Sequence, residues 1–290
     1  AAGTRAVITD FWAVVFNPSS LVRLAHTLMG CWQAGAFLVL SVSAWYLLKG
    51  RHREFALASA KFALVLALLS GLGSAVTGHV SGQVVARHQP TKLAAMEGLF
   101  ETTPGAGLHL WGWVDEAARS VRGGVQVPGL LSLLVHNDPS APVAGLREFA
   151  PGDWPPVNPV FQAFHLMIWI GVLLLLLSIA GCWLWWRGRL ADHRLLLRLL
   201  VWAVLGPQLA NQAGWMTAEV GRQPWIVWGL MRTADGVSRS VHPEHVLVSL
   251  VLFTIVYVLL FGLFLFLLDQ KIQHGPEESD LVPVFRRADA

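Results

Sequence analysis

The sequence predicts an all-α, polytopic membrane protein with five transmembrane helices. Hydrophobic residues make up 54% of its 290 residues and charged residues 13%, whereas a typical soluble domain has roughly 25% charged residues. Five stretches reach the length of about 20 largely apolar residues that a helix needs to cross a bilayer. This composition excludes a disordered chain, a fibrous protein and most soluble enzymes. The net charge of +3, with scattered basic residues, argues against nucleic acid as a partner.

The five predicted spans are separated by loops of very different length. The spans cover residues 21–48, 55–78, 159–186, 195–220 and 245–268. The fourth span is the least apolar of the five, because it carries four polar side chains. These are Gln208, Asn211, Gln212 and Glu219.

Basic residues in the short loops give the predicted orientation. They cluster at residues 49–53 and 187–198, and Lys271 follows the fifth span. The positive-inside rule places these ends in the cytoplasm. Three segments then lie on the outer side, and the last segment is a cytoplasmic tail. The outer segments are residues 1–20, 79–158 and 221–244, and the tail is residues 269–290.

The outer segment 79–158 is predicted to be functional, because loops of this length are seldom mere connections. Within it, Leu93, Met96 and Phe100 have helical spacing, which predicts a short amphipathic helix lying on the membrane surface. Lys92 and Glu97 flank this pattern. They are five residues apart, about 140° around a helix, so they do not form a simple ion pair. The pattern alone favours two solvated charges.

Ionisable side chains inside predicted spans indicate functional sites, because they are costly in lipid. His26 follows Pro18 by eight residues, and Met167 follows Pro159 by the same interval. Both side chains therefore lie about 12 Å below the start of their helices. A histidine and a methionine on two helices are a known axial pair for a low-spin heme. The alternative is a hydrogen-bonded histidine and an ordinary core methionine, which the spacing alone favours.

Glu219 lies near the outer end of the fourth span. It is compatible with a metal ligand, a proton-relay group or an ion-pair partner of Arg222, three residues further on. The spacing does not separate these possibilities. Trp215 lies one turn before Glu219 and shares its face. Trp215 and Trp225 also fit the aromatic belt at a membrane interface.

Two long strings resemble the motifs of subunit I of cytochrome bd-type quinol oxidases. They are QPTKLAAMEG at residues 89–98 and GWMTAEVGRQPW at residues 214–225. Asn17-Pro18 with His26, the string FHLM at residues 164–167 and the string PGLLSLL at residues 128–134 extend the resemblance, in order, over nearly the whole chain. The absence of a long insertion after Glu97 is similar to the short-loop branch of the family.

The resemblance implies a role for each candidate residue. His26 and Met167 would be the axial ligands of a low-spin heme b, and Glu219 an axial ligand of one of two high-spin hemes, b or d. Trp215 would lie between hemes. The resemblance further implies roles in the outer segment and at the heme edge. Lys92 and Glu97 would bind and oxidise quinol, and Arg222 with residues 223–225 would support the heme edge or propionates.

The same resemblance implies a respiratory enzyme of the cell inner membrane, surrounded by lipid. Quinol would be oxidised at the outer face, and oxygen reduced to water at the high-spin hemes. Family members have about nine spans, and this chain matches the last five. We therefore expect partners: a chain that supplies four amino-terminal helices, subunit II and a small single-span subunit. The expectation is that this chain is the carboxyl-terminal half of a catalytic subunit.

Three positions depart from the pattern of some family members. His165 stands beside the methionine ligand where some members have arginine, which would alter the charge near the low-spin heme. His79 stands where some have aspartate, and Gln212 where some have glutamate. These last two leave details of proton movement and quinol binding open.

Two alternative functions remain open at this stage. One is a bd-like heme b subunit that transfers electrons without itself reducing oxygen. The other is a heme-free or single-heme transporter or anchor subunit. A transporter is expected to show repeats and broken helices. Gly206-Pro207 is such a break, but the sequence contains no counterpart half.

Overall fold

The computed structural model describes residues 8–238 and 240–277, and this part of the chain is mostly helical. The all-α membrane fold class predicted from the sequence is confirmed. The helices, in chain order, are α1 (Phe11–Val15), α2 (Ser20–Lys49), α3 (Arg53–His88), α4 (Pro90–Glu97), α5 (Leu130–His136), α6 (Val157–Trp186), α7 (Arg194–Trp202), α8 (Leu205–Val220) and α9 (Pro243–His274). Four helices of the described chain, α2, α3, α6 and α9, are long and apolar enough to cross a membrane.

The predicted fourth span at residues 195–220 is not one continuous helix. The chain there forms two consecutive helices, α7 and α8, which are separated by a turn at Ala203 and Val204. Pro207 lies in the first turn of α8, where its missing N–H group is tolerated. A continuous helix would place the proline ring against the carbonyl group four residues earlier, at Ala203. The helix is therefore interrupted before Pro207.

Small side chains allow α2 and α3 to pack closely. Four alanines of α3 recur at the spacing of one helix face, and all are buried: Ala56, Ala60, Ala63 and Ala67. Phe37 and Leu40 of α2 belong to the same core. Because lipid is as apolar as these side chains, close van der Waals contact rather than the hydrophobic effect stabilises such packing in a membrane. Helices α6 and α7 complete this core through Leu174 and Leu197.

Helix α3 continues ten residues beyond the predicted end of the second span, to His88. The following segment is folded rather than extended. It contains four strands, β1 (Thr103–Pro104), β2 (Leu108–Asp115), β3 (Ser120–Val127) and β4 (Pro142–Val143). Strand β2 pairs with β3 and β1 with β4, both antiparallel. The segment packs on α6 through a second core that includes Phe100, Val114 and Phe161.

The chain after α8 forms a small hairpin and then α9. The hairpin strands are β5 (Trp225–Val227) and β6 (Met231–Arg232). Helix α9 has no buried residue. Its carboxyl end is held by Tyr46, whose hydroxyl group donates to the Ile272 carbonyl at 2.7 Å, and by Arg51, which donates to the Gln273 carbonyl at 2.8 Å. Most of the α9 surface is therefore left uncovered by the described part of this chain.

Two predicted terminal segments are only partly described. The lead-in at residues 1–20 includes residues 1–7, and the tail at 269–290 includes residues 278–290; both sets lie outside the described residues. The described beginning of the tail continues α9 as far as His274.

We predict that Gly98→Ala destabilises the protein more than Gly188→Ala. Both glycines have left-handed backbone, with φ values of +63° and +68°, which costs a residue with a Cβ atom about 1–2 kcal/mol. A Cβ atom at Gly98 would also lie 2.7 Å from Val121 Cγ2, whereas Gly188 faces open space. We expect an additional loss of about 1–3 kcal/mol for Gly98→Ala. Thermal unfolding of the detergent-solubilised protein measures it, and equal midpoints for the two variants would contradict it.

Candidate functional site

Helix α4 carries Lys92 and Glu97 and is buried on all sides. Pro90 occupies its first turn and Gly98 ends it in the left-handed conformation. Every residue from 91 to 97 is buried. The predictions of an amphipathic helix on the membrane surface and of two solvated charges are therefore wrong. The physical reason is that Ala94 and Ala95 are small and fully buried. Neighbouring elements can therefore pack closely on the faces of α4 that the sequence pattern predicted to be exposed.

Lys92 lies against the carboxyl end of α8. Its Nζ atom donates to the Ala218 carbonyl oxygen at 3.0 Å. A Cβ atom at Gly221 would lie 3.2 Å from Lys92 Cγ, so the lysine stem passes directly over this glycine. Burial, with the nearby charge of Arg23, lowers the pKa of Lys92 to about 8, although Glu219 opposes the shift. Lys92 thus belongs to a group of charges at the ends of α2, α4 and α8.

Glu97, the last residue of α4, occupies a different environment. It is 3% exposed, and within the described residues its Oε2 atom has no hydrogen-bond partner. Burial raises the pKa of this carboxyl group to about 8, because a charge without a partner is disfavoured away from water. Within the described chain, no hydrogen bond or ion pair joins Glu97 to Lys92. The two side chains therefore lie on different faces of α4, about 140° apart around the helix.

Glu219 and Arg222 form the ion pair that was one of the three possibilities for this motif. Arg222 Nε donates to Glu219 Oε2 at 2.9 Å, and Nη2 lies 2.6 Å from the same oxygen. The other carboxylate oxygen, Oε1, has no partner within the described residues. Trp215, one turn earlier, is 67% exposed. The Glu219 carboxylate therefore keeps one oxygen for a further partner.

The hydrogen bonds of His26 determine which ring nitrogen carries its proton. His26 Nδ1 lies 3.0 Å from Thr77 Oγ1. The Thr77 hydroxyl group donates its single proton to the Gly73 carbonyl at 2.7 Å, so it can only accept from Nδ1. The proton is thereby assigned to Nδ1. Nε2 then carries a lone pair, to which no group of the described residues donates.

Met167 lies against a glycine of the neighbouring helix. A Cβ atom at Gly214 would be 2.7 Å from Met167 Sδ, so any larger residue there would displace the thioether. Gly214 opens the second family-like string, and Met167 closes the string FHLM. His26 of α2 lies against α3, and Met167 of α6 lies against α8. Helices α2 and α8 are themselves in contact, because Gly30 of α2 lies against the Asn211 side chain of α8.

His165 is buried and bridges α6 to β2. Its Nδ1 lies 2.8 Å from the Phe161 carbonyl oxygen, and its Nε2 lies 2.9 Å from the His109 carbonyl oxygen. The ring also stacks on Phe161, with centroids 3.9 Å apart. Both ring nitrogens therefore face backbone. The prediction that His165 contacts a cofactor stays a prediction.

Four side chains of α6 bind the backbone of β2 in a ladder. Their spacing of four, three and four residues places them on one helix face. The contacts, in order, are Val114 N to Asn158 Oδ1 at 3.2 Å, Gln162 Nε2 to Gly112 O at 2.8 Å, His165 Nε2 with His109 O at 2.9 Å, and Trp169 Nε1 to Leu110 O at 2.7 Å. We call these side chains the α6 ladder. The sequence prediction missed it, although Asn158, Gln162 and Trp169 form a polar stripe at helical spacing.

Two further buried polar atoms of the described chain have no partner, Gln89 Oε1 and Trp225 Nε1. Gln89 precedes α4, and Trp225 opens β5. The hairpin that contains Trp225 is attached to α4, because Trp228 Nε1 donates to Thr91 Oγ1 at 3.3 Å. Buried polar atoms rarely remain unpaired, so these atoms and Glu97 Oε2 are candidates for ligand contacts.

Comparison with known proteins gives consistent matches. The family model described as "Cytochrome bd terminal oxidase subunit I" matches residues 1–276. Cytochrome bd ubiquinol oxidase subunit 1 of Bacillus subtilis (strain 168) is 35% identical, over 95% of this chain and 61% of that protein. Cytochrome bd-II ubiquinol oxidase subunit 1 of Escherichia coli (strain K12) is 28% identical, over 94% of this chain and 66% of that protein.

A solved structure shares the fold. The bd oxidase from Geobacillus thermodenitrificans superposes with a TM-score of 0.81 at 33% sequence identity, covering 92% of this chain and 61% of that chain. The present chain therefore spans about three fifths of the length of the Bacillus and Geobacillus proteins.

We predict that Gln162→Leu loosens the β2–β3 hairpin without unfolding the helices. The substitution removes the hydrogen bond to the Gly112 carbonyl, which contributes about 1 kcal/mol. Amide hydrogen exchange in residues 108–127 is then expected to be about five times faster. Leu173→Ala, at an exposed position of the same helix, is the matched control. Unchanged exchange in Gln162→Leu would show that the ladder does not hold the hairpin.

Proposed function

Because the chain belongs to the cytochrome bd terminal oxidase subunit I family, we propose that it is part of subunit I of a quinol:oxygen oxidoreductase. It is a multi-pass membrane protein, and we place it in the cell inner membrane. The hemes, a low-spin heme b and a high-spin pair of heme b and/or heme d, supply the electron transfer and the reduction of oxygen to water when they are bound. The observation that carries this proposal is the buried, unpartnered carboxyl group of Glu97.

The residues present fit a low-spin heme. His26 has an Nε2 lone pair that no described residue uses, while its Nδ1–H is held by Thr77. This arrangement is typical of metal-ligating histidines, whose second nitrogen is oriented by a hydrogen bond. Met167 would hold the same heme through its sulfur, and Gly214 leaves the space in which this sulfur lies. Both ligands are neutral, which suits a site within the membrane.

Glu219 would ligate a high-spin heme through the oxygen that Arg222 does not use. The two N–H groups of Arg222 hold Oε2, so the carboxylate is oriented and its charge is partly balanced before a ligand binds. Trp215, exposed and one turn away, would lie between hemes. Arg222 is also placed to reach a propionate. Each of these roles follows the motif of residues 214–225.

Glu97 would accept a proton from quinol. Oxidation of a quinol to a quinone releases two electrons and two protons, so a base must be present where the hydroxyl group binds. A carboxyl group with a pKa near 8 is a stronger base than an ordinary glutamate and is still ionised in about a tenth of molecules at pH 7. General bases operate best when their pKa is near the working pH.

Lys92 would provide a hydrogen bond or a positive charge to the same substrate. Its Nζ atom has three N–H donors, of which the Ala218 carbonyl uses one. The other donors have no partner within the described residues. With a pKa of about 8, Lys92 is mostly charged at pH 7.

The proposed complex contains further chains. The relatives are longer than this chain, and the partners we propose are a chain supplying four amino-terminal helices, subunit II and a small single-span subunit. These chains would complete the high-spin heme site. Quinol oxidised on the outer side would release its protons there, whereas oxygen reduction would consume protons from the cytoplasm.

We predict that His26→Ala and Met167→Leu each remove the low-spin heme signal from the dithionite-reduced spectrum of the complex. Each substitution deletes one axial ligand. Met29→Leu, which changes another methionine of the same membrane region, is the matched control and is expected to keep the signal. An unchanged spectrum in either ligand variant would exclude that residue as an axial ligand.

We predict a bell-shaped dependence of quinol oxidation on pH, with its maximum near pH 8. Glu97 must lose its proton to act as a base, so the rate rises as pH increases through a pKa of about 8. Lys92 loses its charge as pH increases through about 8, so the rate falls on the alkaline side. Glu97→Gln is expected to lower the rate at every pH, with no rising limb left, while the heme spectrum is retained.

Oxygen uptake by the same preparations decides between an oxygen-reducing enzyme and a bd-like heme b subunit that only transfers electrons. Quinol-dependent oxygen uptake by the assembled complex is expected. If quinol reduces the hemes but no oxygen is consumed, the proposal of an oxygen-reducing enzyme is wrong, and the electron-transfer subunit replaces it.

A further inference from the structure

His109 connects α6, β2 and α4. Its backbone carbonyl is bound by the His165 ring of α6 at 2.9 Å. Its own ring presents Nδ1 to the Glu97 carbonyl oxygen at 3.2 Å and packs edge-on against Phe161, with centroids 6.2 Å apart. His109 is thus held at its backbone by one helix and itself holds the end of another.

The Glu97 carbonyl is a group that requires such a partner. The last carbonyl groups of a helix have no partner within the helix. The turn at Gly98 satisfies two of the earlier ones, because Gly98 N donates to Ala95 O at 3.3 Å and Leu99 N donates to Ala94 O at 2.8 Å. The terminal carbonyl, that of Glu97, is bound by His109. A histidine that binds the last carbonyls of a helix is a favourable cap.

The side chain of Glu97 has no comparable restraint of its own. Within the described residues, no hydrogen bond to its carboxyl group is present, and Oε2 is buried without a partner. The direction of this carboxyl group therefore follows from packing and from the position of the backbone at the end of α4. A group that fixes this backbone therefore limits the positions that the buried carboxyl group can take.

We propose that His109 is a positioning residue for quinol oxidation, which holds the end of α4 and thereby aims the Glu97 carboxyl group at the substrate. This proposal rests on the proposed function of Glu97. His109 acts through the Glu97 main chain and does not itself touch the substrate. The α6 ladder, through His165, determines where His109 stands.

The protonation of His109 agrees with this role. Because the Glu97 carbonyl is only an acceptor, Nδ1 must carry a proton and donate. Burial lowers the pKa of His109, so at pH 7 the ring is largely neutral with a single N–H group. That N–H group is the one that the contact uses. A substitute must therefore place a donor at the position of Nδ1.

Three substitutions at His109 test the proposal in the complete complex in its native membrane. His109→Leu removes the donor, His109→Asn places an amide N–H near the position of Nδ1, and His109→Gln places it one bond further out. For a short-chain quinol, we expect His109→Leu to lower kcat about tenfold with little change in KM. His109→Asn is expected to have a kcat within about threefold of the unmodified protein, a loss smaller than that of one hydrogen bond. His109→Gln is expected to keep the low kcat of His109→Leu.

Gln162→Leu is the matched control, because it removes one contact of the α6 ladder and leaves the contact between His109 and Glu97. It is expected to change kcat less than about threefold, since no contact to Glu97 is lost. An equal loss of kcat in Gln162→Leu and His109→Leu would overturn the proposal, because His109 would then only help to anchor the hairpin. Unchanged kcat in His109→Leu, or equal kcat in the Asn and Gln variants, would overturn it too. The Asn and Gln comparison decides even if His109→Leu does not assemble.

Glu97→Gln separates the failure of this proposal from failure of the proposed function. If Glu97→Gln retains quinol oxidation, the role of Glu97 is wrong and the role of His109 falls with it. If Glu97→Gln loses quinol oxidation while His109→Leu retains it, only the positioning role is wrong. The dithionite-reduced spectrum, which does not depend on quinol, confirms in each variant that the hemes are bound.

Discussion

One face of α6 determines the geometry of the folded segment between α3 and α6. The α6 ladder binds backbone groups of four residues of β2, and these hydrogen bonds are made by side chains of a helix that also belongs to the core shared with α2 and α3. A strand can slip only by giving up several bonds at once, so the register of β2 on α6 is specific. His109 and the end of α4 follow from that register, and Met167 lies on the same helix.

Helix α4 shows how one short helix serves two environments. Its length of eight residues is a little over two turns, so both ends lie close to the elements that cover them. Lys92 is directed to the carbonyl end of α8, where the helix dipole favours a positive charge. Glu97 is directed away from those charges. Separating the two keeps the carboxyl group from forming an ion pair, which would have lowered its pKa rather than raised it.

Local patterns in the sequence predicted the parts of the fold that depend on local physics. Long apolar runs predicted α2, α3, α6 and α9, and the three-residue spacing made an ion pair of Glu219 with Arg222 one of three possibilities. Gly206-Pro207 indicated a break, but the length of the stretch 195–220 was still interpreted as one span. The burial of α4 was missed because it depends on elements far along the chain. His109 lies in a strand whose neighbours no local pattern reveals.

The bare surface of α9 has a consequence for how the protein assembles. Membrane proteins form in two stages, in which helices first insert independently and then associate side by side. Helix α9 is apolar enough for the first stage. In the described chain, α9 associates with other helices only at its carboxyl end, where Tyr46 and Arg51 donate hydrogen bonds to its backbone. A helix that packs along α9 therefore displaces lipid alone and breaks no contact of this chain, so that association can occur after the rest of the protein has folded.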